Sequence, residues 1–193
     1  VSNQTPIPTM GLNYTLLLKR LGHRASLSPE QAACDAVEAY RDTYGDSRQF
    51  DLSASALDLG DDFRSFVASF HRTVSAPCML SVIGKAIEGV RYVPGRHRKM
   101  HPMADLGSLV SALNTARPDL SLSEMRFIIN HAAINSDLSG VSLYLPVSAK
   151  SSLKDYAETS FARDFPHGWA SVLPRLYKGG EAASDRPEEG SPD

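Results

Sequence analysis

Two cysteines and six histidines are the first candidates for nucleophilic or metal chemistry in this chain. A cysteine nucleophile needs its thiolate within reach of an imidazole and hydrogen-bond donors for the oxyanion. Cys34 falls mid-helix in "SPEQAACDAVEAY", beside an apolar face, where a thiol packs rather than attacks. Cys78 follows Ala76-Pro77 at a helix start, where the helix dipole favours a thiolate. His97 and His101 are spaced i, i+4, which on a helix would aim both rings at one metal. They flank "RHRKM" just after Pro94-Gly95, where helix is disfavoured and Arg96, Arg98 and Lys99 repel a divalent ion; no metal site is expected. His23, His71 and His131 have no partner in the sequence, and His167 before Gly168-Trp169 reads as a turn cap. The patterns G-x-S-x-G, G-x-x-x-x-G-K-[ST], G-x-G-x-x-G and H-E-x-x-H are all absent. On residues alone, no active site is complete within the chain.

The bulk properties narrow the field. A net charge of −2 over 193 residues argues against a general nucleic-acid binder, whose basic face shows in the total. The last fifteen residues, "GGEAASDRPEEGSPD", carry five acids and one Arg, and lack the aromatic and β-branched residues that order a segment. Residues 178–193 therefore read as a solvated acidic tail, and 1–177 as the domain. Two cysteines make no disulfide framework; a single bridge is the alternative to the expected pair of reduced, packed thiols. No run approaches the roughly 20 apolar residues of a membrane-spanning helix. The basic stretch with Arg91, Arg96, Arg98 and Lys99 reads as a solvated loop, with an anionic-partner patch or a trypsin-like cleavage site as the functional alternatives.

The elements that would position any site follow from periodicity. Tyr14–Leu21 predicts a short helix closed by Gly22. Ser28, Pro29 and Gln31 form a capping box ahead of Ala33, Val37, Tyr40 and Tyr44, the apolar face of a helix ending at Gly45. Residues 50–59 alternate as a strand. Helices are expected over Asp61–Val74, over "CMLSVIGKAIEGVRYV", over Asp105–Ala116 and over Ser123–Asn135, the last with Ser121 and Glu124 as a second capping box. Val141–Leu145 reads as a strand buried inside a sheet and stopped by Pro146. Helices around Ser152–Ala162 and Gly168–Tyr177 follow. The pattern is α/β, with helices dominating and few strands; since two strands make a marginal sheet, the remaining ones are expected upstream of Val1.

The order of segments resembles the C-terminal half of the clostripain-like cysteine peptidases, within the caspase-like clan. "VSNQTPIPTMGLNYTLLLKRL" is similar to a strand-end segment, a Pro/Gly stretch and a Gly-Trp-x-Tyr helix entrance, with Leu12 where Trp is usual. "SLSPEQAACDAVEAYRDTYGD" resembles that family's Ser-Pro-Glu-Glu-Leu helix, and "LSASALDL" its Leu-Ser-Ala-Ile-Asp-Leu strand. "MADLGSLVSAL", "GVSLYLPVS" and "YAETSFARDFPHGWASVLPRLY" are similar to the Asp-Leu-x-x-Phe helix, the Gly-Leu-Ser-Ile-Tyr-Phe-Pro strand and the closing Tyr…Phe…Trp…Leu…Tyr. The resemblance implies a partial caspase-like fold, with the catalytic His and an Asp-x-Cys nucleophile upstream of Val1 and no catalytic residue in this chain. It implies that Ser2, Asn3 and Gln4 line the substrate cleft. It implies a peptide or protein substrate, an N-terminal fragment of the same precursor as partner, and a secreted or cell-envelope setting. No cofactor is implied, and calcium is left open. Family members hold an Arg or Lys side chain with carboxylates, but the Ser2–Gln4 segment offers none. The alternatives are a non-catalytic peptide- or partner-binding member, or a plain α/β interaction domain.

Overall fold

Ser28 starts the longest helix as its sequence predicts. Its hydroxyl accepts from the Gln31 amide at 3.2 Å, and the Gln31 side chain accepts from the Ser28 amide at 3.1 Å. The computed structural model describes residues 12–23, 26–46, 52–93, 103–120, 122, 124–134, 137–146, 153–164 and 168–178. In order they form α1 (Tyr14–Gly22), α2 (Pro29–Tyr44), β1 (Leu52–Leu57), α3 (Asp61–Ser75), α4 (Met79–Glu88) and β2 (Met103–Asp105). There follow α5 (Leu106–Ala116), a 3-10 turn (Pro118–Leu120), β3 (Ile128–Ile134), β4 (Ser142–Tyr144), α6 (Leu153–Ala157), α7 (Ser160–Asp164) and α8 (Trp169–Lys178). The chain is mixed α/β. No single helix among the described residues is long and apolar enough to cross a membrane.

Among the described residues the strands form two separate antiparallel pairs. β1 lies against β3 from Leu52↔Ile134 to Leu57↔Ile128, with an irregularity between Ala56 and Leu57. β2 lies against β4, pairing Met103 with Tyr144 and Asp105 with Ser142. An isolated bridge from Tyr92 to Ala104 covers the other edge of β2. Two cores result. α2 presents Val37, Tyr40 and Tyr44 to Ala54, Ala56, Ala132 and Ile134, and the small strand residues let the helix approach closely. The larger core gathers α3, α4, α5 and α8 around Ile83, Leu109, Leu113, Phe127 and Leu145, all of them fully buried. Burying each such side chain stabilises the fold by about 1.5–3 kcal/mol. α3 and α4 meet at 106°.

Five expectations are corrected. The helix predicted over Ser123–Asn135 is the strand β3; "IINHAAI" opens and closes on β-branched residues, and pairing along β1 fixes it extended. Glu124 lies outside any helix, so no second capping box forms there. Among the described residues Val141–Leu145 is not enclosed in a sheet: β4 pairs there with β2 alone, and Ser142, Leu143 and Tyr144 are half-buried. Ser152–Ala162 is no single helix, because α6 ends at Ala157 and the Thr159 hydroxyl accepts from the Ala162 amide at 3.3 Å, opening α7. Gly22 is the last residue of α1, and His23 rather than glycine caps it. Residues 1–11, the 94–102 stretch and the acidic tail from residue 179 lie outside the described residues.

Candidate functional site

A large apolar cleft of about 560 Å³ lies between α3 and β4. The spacing Phe63, Phe66, Val67, Phe70 puts one apolar stripe on α3, and this stripe forms the first wall. The second wall is β4 itself, with Ser142, Leu143 and Tyr144. Trp169 at the head of α8 closes one end; its indole N–H donates to the Tyr144 carbonyl at 2.6 Å. The Tyr177 hydroxyl donates to the Pro146 carbonyl, which ties α8 to the segment leaving β4. Tyr156 stacks on Tyr144 with ring centroids 4.7 Å apart. Burial, and then the neighbouring Tyr144, push the Tyr156 hydroxyl up to about 12. Among the described lining residues there is no Asp, Glu, Lys or Arg.

A polar network lies beside it. Asp105, 1% exposed, caps α5: its Oδ2 accepts from the Ser108 amide at 2.8 Å. Its Oδ1 accepts from both the amide and the hydroxyl of Ser139 at 2.7 Å. The Ser139 hydroxyl in turn accepts from the Gly107 amide at 3.1 Å. A Cβ on Gly107 would lie 2.6 Å from that of Ser139, so this approach requires glycine. Ser55 continues the network from β1, with its hydroxyl 2.7 Å from His131 Nδ1 and 3.3 Å from the Ser139 carbonyl.

A serine 2.7 Å from an imidazole has the spacing of a nucleophile and its base. The surroundings exclude that chemistry. Ser55 is 0% exposed and Gly140 packs directly over its hydroxyl, so no carbonyl carbon can reach it. Asp105 bonds Ser139 instead of orienting His131. The pair is a strut between β1 and β3. Both Ser55 hydrogen bonds form together when Nδ1 donates to Ser55 Oγ and Ser55 donates to Ser139. Replacement by a donor therefore preserves the strut: His131→Asn is expected to cost roughly 1 kcal/mol and His131→Leu roughly 2–3 kcal/mol. Chemical denaturation of the two variants checks this; equal losses would show that the ring contributes packing alone.

The other candidates separate. Cys34 is half-buried and packs against the α2 core, as its helical position predicts. Cys78 is exposed rather than packed, at the N-cap of α4. Both thiols are free, and among the described residues neither hydrogen-bonds an imidazole. His23 is exposed, and His71 lies on the cleft. His97, His101, His167 and the proposed substrate residues Ser2, Asn3 and Gln4 lie outside the described residues. Among the described residues no cluster of three His, Cys, Asp or Glu could hold a metal ion. Sequence reasoning missed both Asp105 as a network hub and the Ser55–His131 pair, whose members stand 76 positions apart. Compared with known proteins, the chain matches no protein-family model, no curated protein and no solved structure.

Proposed function

We propose that this chain is the C-terminal portion of a clostripain-like cysteine endopeptidase with a partial caspase-like fold. In this reading it lines the substrate cleft and pairs with an N-terminal fragment of the same precursor that carries the thiol and the imidazole. One observation carries the reading: four of the six segments that resemble the family meet around this apolar cleft. "LSASALDL" contributes Leu57 and Leu59, and "MADLGSLVSAL" contributes Met103 and Leu106. "GVSLYLPVS" contributes β4, and the closing segment contributes Tyr156 and Trp169. Segments far apart in sequence that share a resemblance and one concave surface suit a common substrate. The upstream thiolate would attack a peptide carbonyl, with the imidazole as general acid–base through an acyl-enzyme. The residues of this chain would hold the peptide and exclude water.

Thiol dependence tests the reading. The precursor, including its upstream sequence, is expected to hydrolyse a denatured protein substrate and to lose that activity on alkylation with iodoacetamide. Cys34→Ser/Cys78→Ser in the same precursor is expected to keep its kcat/KM within about twofold, since neither thiol reacts. Loss of activity in the double variant would put the nucleophile in this chain and overturn the assignment. A precursor silent towards every substrate would leave the non-catalytic peptide-binding reading, which the same cleft supports.

A further inference from the structure

The cleft indicates what it accepts. Its described walls carry no carboxylate, ammonium or guanidinium. A buried cation without a partner anion is disfavoured by several kcal/mol, and the same holds for an unpaired anion. A volume of about 560 Å³ sits within the range of roughly 300–1,000 Å³ typical of sites for discrete ligands. Leu59, 60% exposed, extends the apolar lining out to the mouth.

The β4 edge supplies direction. Val93 donates to the Met103 carbonyl and Asp105 donates to the Arg91 carbonyl, both at 2.8 Å, so these two β2 residues turn their backbone groups towards residues 91–93. Ala104 therefore faces β4 and pairs with Leu143. By alternation, Ser142 and Tyr144 turn their N–H and C=O groups away from β2. The Trp169 indole already meets the Tyr144 carbonyl there, and Ser142 is among the residues that line the cleft, so its outward-turned backbone groups are the ones an occupant would meet. An extended main chain laid along that edge would hydrogen-bond Ser142 and direct alternate side chains into the cleft.

We propose that the occupant is an extended peptide segment with a bulky uncharged side chain, aromatic or branched aliphatic, inserted between α3 and β4. The peptide nature of the ligand rests on the function proposed above; the preference for an uncharged side chain rests on the lining alone and departs from the family's hold on Arg or Lys, for which the Ser2–Gln4 segment already offers no carboxylate.

Trp169 is the one tryptophan of the chain and stands in the cleft, so its emission reports occupancy. The chain is titrated with end-capped pentapeptides that differ only in a central Phe, Leu, Arg or Asp. Phe and Leu peptides are expected to give a saturable emission change with Kd at least about tenfold below that of the Arg and Asp peptides. Leu59→Lys, at the exposed mouth, and Val67→Lys, on the α3 wall, should each weaken the Phe peptide about tenfold or more, with circular dichroism confirming retained helix. An Arg peptide that binds as tightly as the Phe peptide overturns the inference, and so does the lack of any saturable response. Toluene that saturates Trp169 while a Phe peptide N-methylated along its main chain binds unchanged overturns the peptide occupant in favour of a small-molecule site. The precursor assay stands apart. If Phe peptides bind but the precursor never hydrolyses, the inference holds and the peptidase reading fails; if the precursor is thiol-dependent but prefers Arg, the reverse is true.

Discussion

Gly140→Ala is expected to be the most damaging single-methyl change in the described structure. Gly140 has φ +83°, where an L side chain costs about 1–2 kcal/mol. Its added methyl would also lie 1.7 Å from Ser55 Oγ, 2.8 Å from Ser55 Cβ and 3.1 Å from His131 Nδ1. Ser55 cannot give way, because it is fully buried on a strand held by β3. The loop must lift, which breaks the Ser55–Ser139 contact and strains the Ser139–Asp105 bonds. Strain, overpacking and lost hydrogen bonds together put the loss on the order of 3–5 kcal/mol, or roughly 10 °C in Tm for a chain of this size. Thermal denaturation followed by circular dichroism reads it directly. A Ser55→Gly background removes the atoms in conflict, so Gly140→Ala should cost only about 1–2 kcal/mol there, the backbone part alone. A Gly140→Ala variant melting within about 2 °C of the parent would contradict the close approach of this loop to β1.

The second large effect is at Asp105. Its two oxygens accept three hydrogen bonds in a site almost without solvent, and they stand at the positive end of α5. Asp105→Ala removes the helix cap and leaves the Ser108 amide and both Ser139 donors without this acceptor. The cap alone is worth about 1 kcal/mol, and each buried orphan donor adds about 1–3 kcal/mol. The expected total is on the order of 4 kcal/mol, visible as a lower denaturation midpoint. Asp105→Asn is almost the same shape yet is expected to recover less than half of that. Each of these three contacts reaches an oxygen that accepts, and the amide nitrogen of Asn would face a donor. An Asn variant as stable as the parent would mean that shape, not acceptor count, sets the value of this residue. Because Asp105 also pairs with Ser142, the alanine variant should lower peptide affinity in the Trp169 titration as well.

The local signals were legible where they were complete. Ser28, Pro29 and Gln31 specify the start of α2 without help from the rest of the chain, and the structure repeats that start atom for atom. α3 and α5 follow their apolar stripes for the same reason. β3 was not legible because Phe127, Ile128 and Ala132 also fit a helical spacing; only pairing with β1, seventy residues away, makes the extended form the better one. β2 has three residues and ends on Asp105, which serves at once as strand end and helix cap, so no periodicity can reveal it. The helix that forms the α3 wall of the cleft was readable, but the cleft was not, because an apolar stripe looks the same whether it faces a core or a cavity. The burial of Asp105 and the meeting of Ser55 with His131 depend on the turn at Gly140, which brings together residues from four distant segments.

The pairing of β1 with β3 has a consequence for how the chain reaches this structure. Seventy residues, 58 to 127, must be made after β1 before its partner begins. The helices in between pack largely on their chain neighbours: α3 on α4, and α4 on α5. Loop closure across seventy residues rather than thirty-five adds only about 0.6 kcal/mol, so distance does little to the final balance, but contacts of such separation slow the search for it. During synthesis the α3–α5 cluster can therefore assemble while α2 and β1 wait, with Val37, Tyr40 and Tyr44 still uncovered. Until β3 is made, the apolar face of the N-terminal layer is a surface that a folding helper or an aggregating neighbour would meet.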